Sequence, residues 1–152
     1  MNSKCPECGA DWSSGVTCEQ NFHQFGFWEL ADLEHLGSVH HLMVLSYHLQ
    51  HPSLYSPEGL AHAKTLLVDF VVRGVTPQQV RQRDRDKVDS GKRRFKITGT
   101  PESHGAYDHP VAWAMRSGDV VAGGTEHYVE NVRAWAQSIY EDLRASGNLP
   151  AV

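Results

Sequence analysis

Long apolar runs are absent from this sequence of 152 residues. No stretch approaches the roughly 18 consecutive apolar residues that a membrane-spanning helix needs. The first residues, MNSKCPECG, are polar and lack the apolar core of a signal peptide. We therefore expect a soluble, cytoplasmic protein that does not insert into a membrane.

A large net charge is absent as well. The formal net charge is −4 and the pI is about 6.2, which argues against a surface devoted as a whole to nucleic acid or anionic lipid. The charge is unevenly distributed, however. Residues 1–60 have one lysine against seven acids, whereas residues 73–96 have nine lysines or arginines against three acids.

The densest part of this positive charge, residues 81–96, forms what we call the basic segment. Interspersed aspartates partly neutralise it, as in a solvated helix and hairpin. Alternatively, the basic segment binds a partner, either a protein or a nucleic acid, through phosphate or acidic groups. No aromatic residue lies within 73–94 to stack on a base, which disfavours single-stranded nucleic acid.

Cysteines are few, and their number is odd. Three cysteines, two of them in the motif Cys5-Pro-Glu-Cys8-Gly9, fit a reducing compartment and a metal better than a disulfide framework. The C-x-x-C-G spacing lets two thiolates on one tight turn bind a tetrahedral ion, and Gly9 supplies a positive φ. With Cys18 as a third ligand, the sequence predicts bound zinc. The alternatives are a redox pair, which would require a βαβ context, or ordinary surface cysteines.

Histidine, in contrast, is abundant, with ten residues in the chain. A closed zinc site needs a fourth ligand. His23 is five residues after Cys18, and His51 could fold back from a later helix, so both are candidates. Four protein ligands would make the site structural, whereas a water in the fourth position would make it catalytic.

Four histidines lie between residues 40 and 51 on one predicted helix. His40 and His51 share a face of this helix, but the rise over eleven residues is about 16 Å, so they cannot bind the same ion. His51 is the most suggestive of the four, because the helix ends there at Gln50-His51-Pro52 and free carbonyls can orient its imidazole.

Hydrophobic periodicity predicts a mainly α fold: a small helical bundle with an N-terminal zinc-binding knuckle and a short extended segment. We predict helices over residues 30–51, 57–74, 77–88 and 125–145, and the extended segment over the alternating residues 93–98. We expect the zinc-binding head, residues 1–28, to pack on a helical domain, residues 29–152, that forms one cooperative unit.

Two of these motifs together resemble a known family. The Cys-Pro-x-Cys-Gly head with its later cysteine, followed by a helix with Tyr-x-x-Gln-His-Pro, resembles an uncharacterised bacterial family, domain of unknown function 5946. The similarity extends to the C-terminal helix around residues 135–140. The family has no assigned activity, so the resemblance implies which residues matter and no reaction. These residues are Cys5, Cys8, Cys18, His40, Tyr47, Gln50 and His51.

Two classes of function fit this pattern. The first is a zinc-stabilised binding or scaffold module, whose helices present a surface to a partner. The second is a small metal-dependent enzyme, such as a hydrolase, that uses His51, His40 and Tyr47. The sequence contains no nucleophile elbow, P-loop or dinucleotide fingerprint that would name a reaction. The coordination of the metal discriminates between the two classes.

Overall fold

The computed structural model describes residues 3–89 and 96–149, and this part of the chain is mainly α-helical. It contains no β-strand, only isolated bridges between Lys4 and Asp11 and between Tyr55 and Thr98. The prediction of a small, mainly helical protein is therefore confirmed. The helices are α1 (Cys18–Ala31), α2 (His40–Leu49), α3 (Pro57–Val71), α4 (Pro77–Asp89), α5 (Ser117–Ala122) and α6 (Tyr128–Ala145).

The chain divides into two compact units. The described residues of the first unit are 3–51 and 107–149, which include α1, α2, α5 and α6. The second unit takes its described residues from 52–89 and 96–106, which include α3 and α4. The boundary predicted at residue 28 falls within α1, and the single cooperative unit expected over residues 29–152 stays a prediction.

The core of the first unit is built on the apolar stripe of α6. Its members recur at three- and four-residue spacing, so they share one face of the helix, and all of them are fully buried. Phe25 of α1 packs against this face, with its ring centroid 5.6 Å from that of Tyr128 and 5.9 Å from that of Trp135. The stripe consists of Tyr128, Val132, Trp135, Ile139 and Leu143.

The single helix predicted from residue 30 to residue 51 is wrong in its extent. The chain leaves α1 after Ala31, passes through a 3-10 turn at Leu36–Val39 and begins α2 at His40. Asp32 explains the break, because its carboxylate accepts a hydrogen bond from the His35 amide at 3.2 Å. Such local bonds compete with the helical ladder.

Helix α1 also begins earlier than expected, inside the predicted head. Thr17 caps it: the Thr17 hydroxyl accepts a hydrogen bond from the Gln20 amide, and the Gln20 side chain accepts one from the Thr17 amide. This reciprocal capping box fixes the start of the helix at Cys18.

The second unit follows its predicted helix starts closely. The Ser56 hydroxyl caps α3 by accepting a hydrogen bond from the Gly59 amide at 2.9 Å, and Pro57 occupies the first turn. Residues 96–98 of the predicted extended segment are described by the structure. Here the Ser56 amide donates a hydrogen bond of 2.6 Å to the Ile97 carbonyl. The rest of that segment, and residues 90–95 of the basic segment, lie outside the described residues.

Arg83 of the basic segment has a buried partner in α3. It donates a hydrogen bond of 3.0 Å to Asp69 of α3, and Arg73 donates another of 2.9 Å to the same buried carboxylate. Burial alone would raise the pKa of Asp69. The two guanidinium groups lower this pKa by a larger amount, so it lies below its usual value.

Asp69→Asn is expected to lower the free energy of unfolding by about 1–3 kcal/mol, because a buried carboxylate loses two charge-assisted hydrogen bonds. The folded pKa lies below the unfolded one, so this contribution is present at neutral pH and is lost as the pH falls through the folded pKa. Urea denaturation at pH 7 and at pH 3 measures the difference. Asp84→Asn, at an exposed position of α4, is the control and should change little. Equal effects of the two substitutions at pH 7 would contradict the assignment.

Candidate metal centre

The N-terminal knuckle is a tight turn closed by backbone hydrogen bonds. The Cys5 amide donates to the Ala10 carbonyl at 2.9 Å, and the Gly9 amide donates to the Cys5 carbonyl at 3.0 Å. Gly9 has a φ of 76°, a conformation that side-chain-bearing residues rarely adopt. The bridge between Lys4 and Asp11 closes the base of the turn. The C-x-x-C-G spacing therefore forms the local structure that it predicts.

Four ligand-type side chains meet at this knuckle. One ligand atom from each of Cys5, Cys8, Cys18 and His51 lies within 4.8 Å of every other. All four residues are at least nine-tenths buried, the most exposed being His51 at 6%. Apart from His51, no described histidine belongs to this group, and His23 is among those that it leaves out.

The sulfur atoms have a spacing suited to a shared ion. The Cys8 and Cys18 sulfurs are 3.6 Å apart, whereas a disulfide bond would be about 2.05 Å long, and all three cysteines are free. Two thiolates that each lie about 2.3 Å from one tetrahedral zinc ion would be about 3.8 Å apart. The observed separation is close to this value.

Each cysteine is placed by its local structure. The Cys8 amide points at the Cys5 sulfur at 3.5 Å, so the knuckle turn itself offers an N–H to a thiolate. Cys18 is the first residue of α1, because Thr17 caps the helix there. The positive end of the helix dipole favours a thiolate at this position.

His51 is oriented by the end of α2. Its Nδ1 donates a hydrogen bond of 2.6 Å to the Tyr47 carbonyl, since a carbonyl oxygen can only accept. The Tyr47 ring lies against the imidazole, with 4.5 Å between the ring centroids. Nε2 is buried and makes no hydrogen bond with a described residue. A metal beside the three sulfurs would satisfy this nitrogen.

The electrostatics of the group also favour a cation. Hydrogen bonding among the sulfurs, from Cys18 first, lowers the pKa of the Cys5 thiol and raises that of the Cys8 thiol. Burial lowers the pKa of His51, but the Cys18 and Cys5 sulfurs and the Tyr47 carbonyl raise it to about 10 overall. Negative charge therefore collects among buried sulfurs, and a divalent cation would allow all three thiols to ionise.

Arg116 supports the knuckle from the other end of the chain, a role that no motif in the sequence indicated. Its Nε donates a hydrogen bond of 2.7 Å to the Cys8 carbonyl. The guanidinium of Arg116 also lies next to Gly9: a Cβ atom at Gly9 would be 3.5 Å from one of its terminal nitrogens. A zinc ion held by three thiolates and a neutral imidazole would have a net charge of −1, which this cation would partly offset.

Gln50, which the family resemblance also indicated, lies next to His51 in the sequence. Its side chain is almost fully buried and donates a hydrogen bond of 2.7 Å to the Met115 carbonyl. This bond holds the C-terminal end of α2 immediately before His51. Gln50 is therefore a residue that positions the histidine.

The other predicted site residues lie elsewhere or have other contacts. His23 is exposed on α1 and lines a groove with His40. His40, at the opposite end of α2 from His51, pairs with Glu29 at 2.6 Å. Tyr47 has its pKa raised to about 12, by burial first and then by Cys18 and Glu19, so its hydroxyl is neutral at physiological pH. A catalytic role for His51, His40 and Tyr47 stays a prediction.

A family model for DUF5946, a family of unknown function, matches residues 3–144 of the chain. The chain belongs to this family. The resemblance that the cysteine head and the Gln-His-Pro helix end indicated is thereby confirmed. Comparison with curated proteins and with solved structures gave no match. In the described part of this DUF5946 chain, no helix has the length and apolar character needed to cross a membrane.

Proposed function

We propose that this DUF5946 protein binds one zinc ion through Cys5, Cys8, Cys18 and His51, and that the ion is structural. The observation that supports this most strongly is the closed set of four buried ligand atoms within 4.8 Å of one another. Three protein thiolates and one imidazole fill a tetrahedral zinc site, as in Cys₃His structural centres. Thiolate-rich sets select zinc over hard cations such as magnesium or calcium.

The same geometry disfavours the enzymatic alternative. A hydrolytic zinc centre keeps one position for a water that the metal ionises. In this group the fourth position goes to His51, whose free Nε2 faces the sulfurs, and all the ligands are buried. The metal would therefore have no open position at which a substrate could be activated.

The proposed role of the ion is to join segments that are distant in sequence. Cys5 and Cys8 belong to the knuckle, Cys18 begins α1, and His51 follows the end of α2. The knuckle has few large apolar side chains of its own, so the metal supplies the stabilisation that a core supplies elsewhere. The protein is thus a zinc-stabilised scaffold whose helices present a binding surface. Binding of a protein or nucleic acid through the basic segment stays a prediction.

Removing the metal is expected to loosen the knuckle while the helices persist, because the first unit has its own core around α6. Hydrogen exchange followed by mass spectrometry, before and after treatment of the full chain with a zinc chelator, measures this locally. We expect amides of residues 4–11 to exchange at least about tenfold faster and those of α6 to remain protected.

The Cys8→Ser variant serves as the control, since a protein that has already lost the ion should not respond to the chelator. If the exchange of residues 4–11 is unchanged after the metal has been shown to leave, the structural role is contradicted. Loss of protection throughout α6 would contradict the independent helical core.

A further inference from the structure

A second cluster of polar side chains lies in the first unit, and none of its members belongs to the metal group. At its centre is Glu29 of α1, which is 4% exposed. One carboxylate oxygen of Glu29 is 2.6 Å from Nδ1 of His40, and the other accepts a hydrogen bond from the hydroxyl of Tyr128. These three residues, which we call the Glu29 triad, join the starts of α2 and α6 to the C-terminal half of α1.

The contacts of the triad fix the position of the imidazole proton. Burial, and then Glu29, raise the pKa of Tyr128 above its ordinary value, so the phenol keeps its proton and donates it. One Glu29 oxygen accepts from this phenol and the other faces Nδ1 of His40 at 2.6 Å, a contact in which Nδ1 acts as the donor. In the neutral ring Nε2 is then a bare acceptor. The side chain of His40 is 64% exposed, so a ligand can reach it.

Two members of the triad, Glu29 and His40, line an apolar groove. The groove has a volume of about 720 Å³. Ligand sites for small molecules typically measure roughly 300–1,000 Å³ and combine an apolar lining with a few polar groups. Three large apolar side chains of this lining are exposed, Phe27 at 69%, Leu30 at 74% and Leu33 at 65%.

Gly26 supplies an independent observation. It lies in the middle of α1 and lines the groove. A glycine weakens a helix relative to alanine, so its presence there usually has a packing or conformational reason. Neither applies here, because Gly26 does not have a positive φ and a Cβ at this position would meet nothing within 4 Å. The missing side chain leaves the groove open.

We propose that this groove binds a small apolar molecule bearing one hydroxyl group, an alcohol or a phenol, whose O–H donates to Nε2 of His40. The apolar lining from Phe22 to Gly37 receives the body of the molecule, and His40 receives its polar end. Glu29 and Tyr128 act as positioning residues, since they hold His40 in the accepting tautomer. None of the residues that line the groove belongs to the metal group, so binding of the small molecule does not require the proposed metal.

A matched pair of probes tests the proposal on the zinc-loaded full chain. In calorimetric titrations, 4-propylphenol should bind to one site, about tenfold more tightly than propylbenzene, which lacks the hydroxyl. His40→Phe keeps an aromatic ring but removes the acceptor, so it should bring the affinity for the phenol down to that for propylbenzene. Gly26→Leu should abolish binding of both probes, while circular dichroism shows an intact helical fold.

Gly118→Leu is the matched control. Gly118 is also a helical glycine, in α5, with nothing within 4 Å of an ideal Cβ, and it does not line the groove. This variant should bind both probes as the wild type does. The proposal is overturned if the wild type binds neither probe, if it binds both equally, or if a folded Gly26→Leu variant still binds. A dimer in sedimentation that Gly26→Leu dissociates would also overturn it, because a second copy would then occupy the groove.

Discussion

Replacing Cys8 with serine is expected to reduce bound zinc from about one ion per chain to less than about a tenth of that. The serine hydroxyl stays protonated at neutral pH and is a poor zinc ligand, so only two thiolates and one imidazole remain. Structural zinc contributes apparent free energies of about 10–16 kcal/mol in small peptides. The loss of one thiolate therefore removes a large part of the binding energy. Elemental analysis of protein purified without an affinity tag measures the metal content directly.

Ser13→Ala is a suitable control for the Cys8 variant. Ser13 follows the same knuckle, is exposed and does not belong to the metal group. It should keep the full zinc content. A Cys8→Ser protein that retains one zinc ion per chain would show that Cys8 is not a ligand.

The second large effect is expected at His51. His51→Ala should weaken zinc binding by at least about 100-fold, since changes to residues around the ligands alone cost 10- to 100-fold. His48→Ala should leave the affinity within about threefold, because its Nδ1 is directed to the Val44 carbonyl at 2.8 Å and it is not in the metal group. Competition with a chromophoric chelator measures both affinities on the same scale.

The pair of histidine variants also separates the two classes of function. Loss of zinc from His51→Ala identifies a structural ligand, whereas unchanged zinc content with the loss of an activity would identify a proton carrier. A result in which His48→Ala loses zinc and His51→Ala does not would contradict the orientation of α2.

The meeting of Cys5 and Cys8 was predictable from the sequence because it is local. Cys5 and Cys8 lie on one tight turn whose geometry follows from the spacing and from Gly9, so no tertiary information is needed to bring their sulfurs together. The identity of the fourth member of the group was not local. His23 and His51 were both compatible with the sequence, and the packing of α2 brings His51 to the sulfurs while His23 faces the groove.

The helices show the same division between local and tertiary information. The start of α3 at Pro57 and the buried stripe of α6 could be predicted from capping and periodicity. The start of α1 at Cys18 was not predicted, although Thr17 and Gln20 have a capping-box pattern, because residues 1–28 were assigned to the head and the first helix was placed from residue 30. The end of a helix at Asp32 was not predicted, because apolar residues with helical spacing continue on both sides of it.

The Glu29 triad could not be predicted from the sequence. Glu29, His40 and Tyr128 come from three separate helices, and the contact between Glu29 and Tyr128 spans 99 residues. Glu29 lies among the apolar residues from Phe25 to Ala31, and this was a signal in the sequence, because a carboxylate is costly to bury without partners.

The most direct test of the proposed structural zinc centre is X-ray absorption spectroscopy at the zinc edge on the tag-free chain of 152 residues. The proposed site predicts about three sulfur neighbours at about 2.3 Å and one nitrogen neighbour at about 2.0 Å, with no oxygen bound to the metal. A spectrum that requires a water oxygen, or fewer than three sulfurs, would contradict the closed Cys₃His centre.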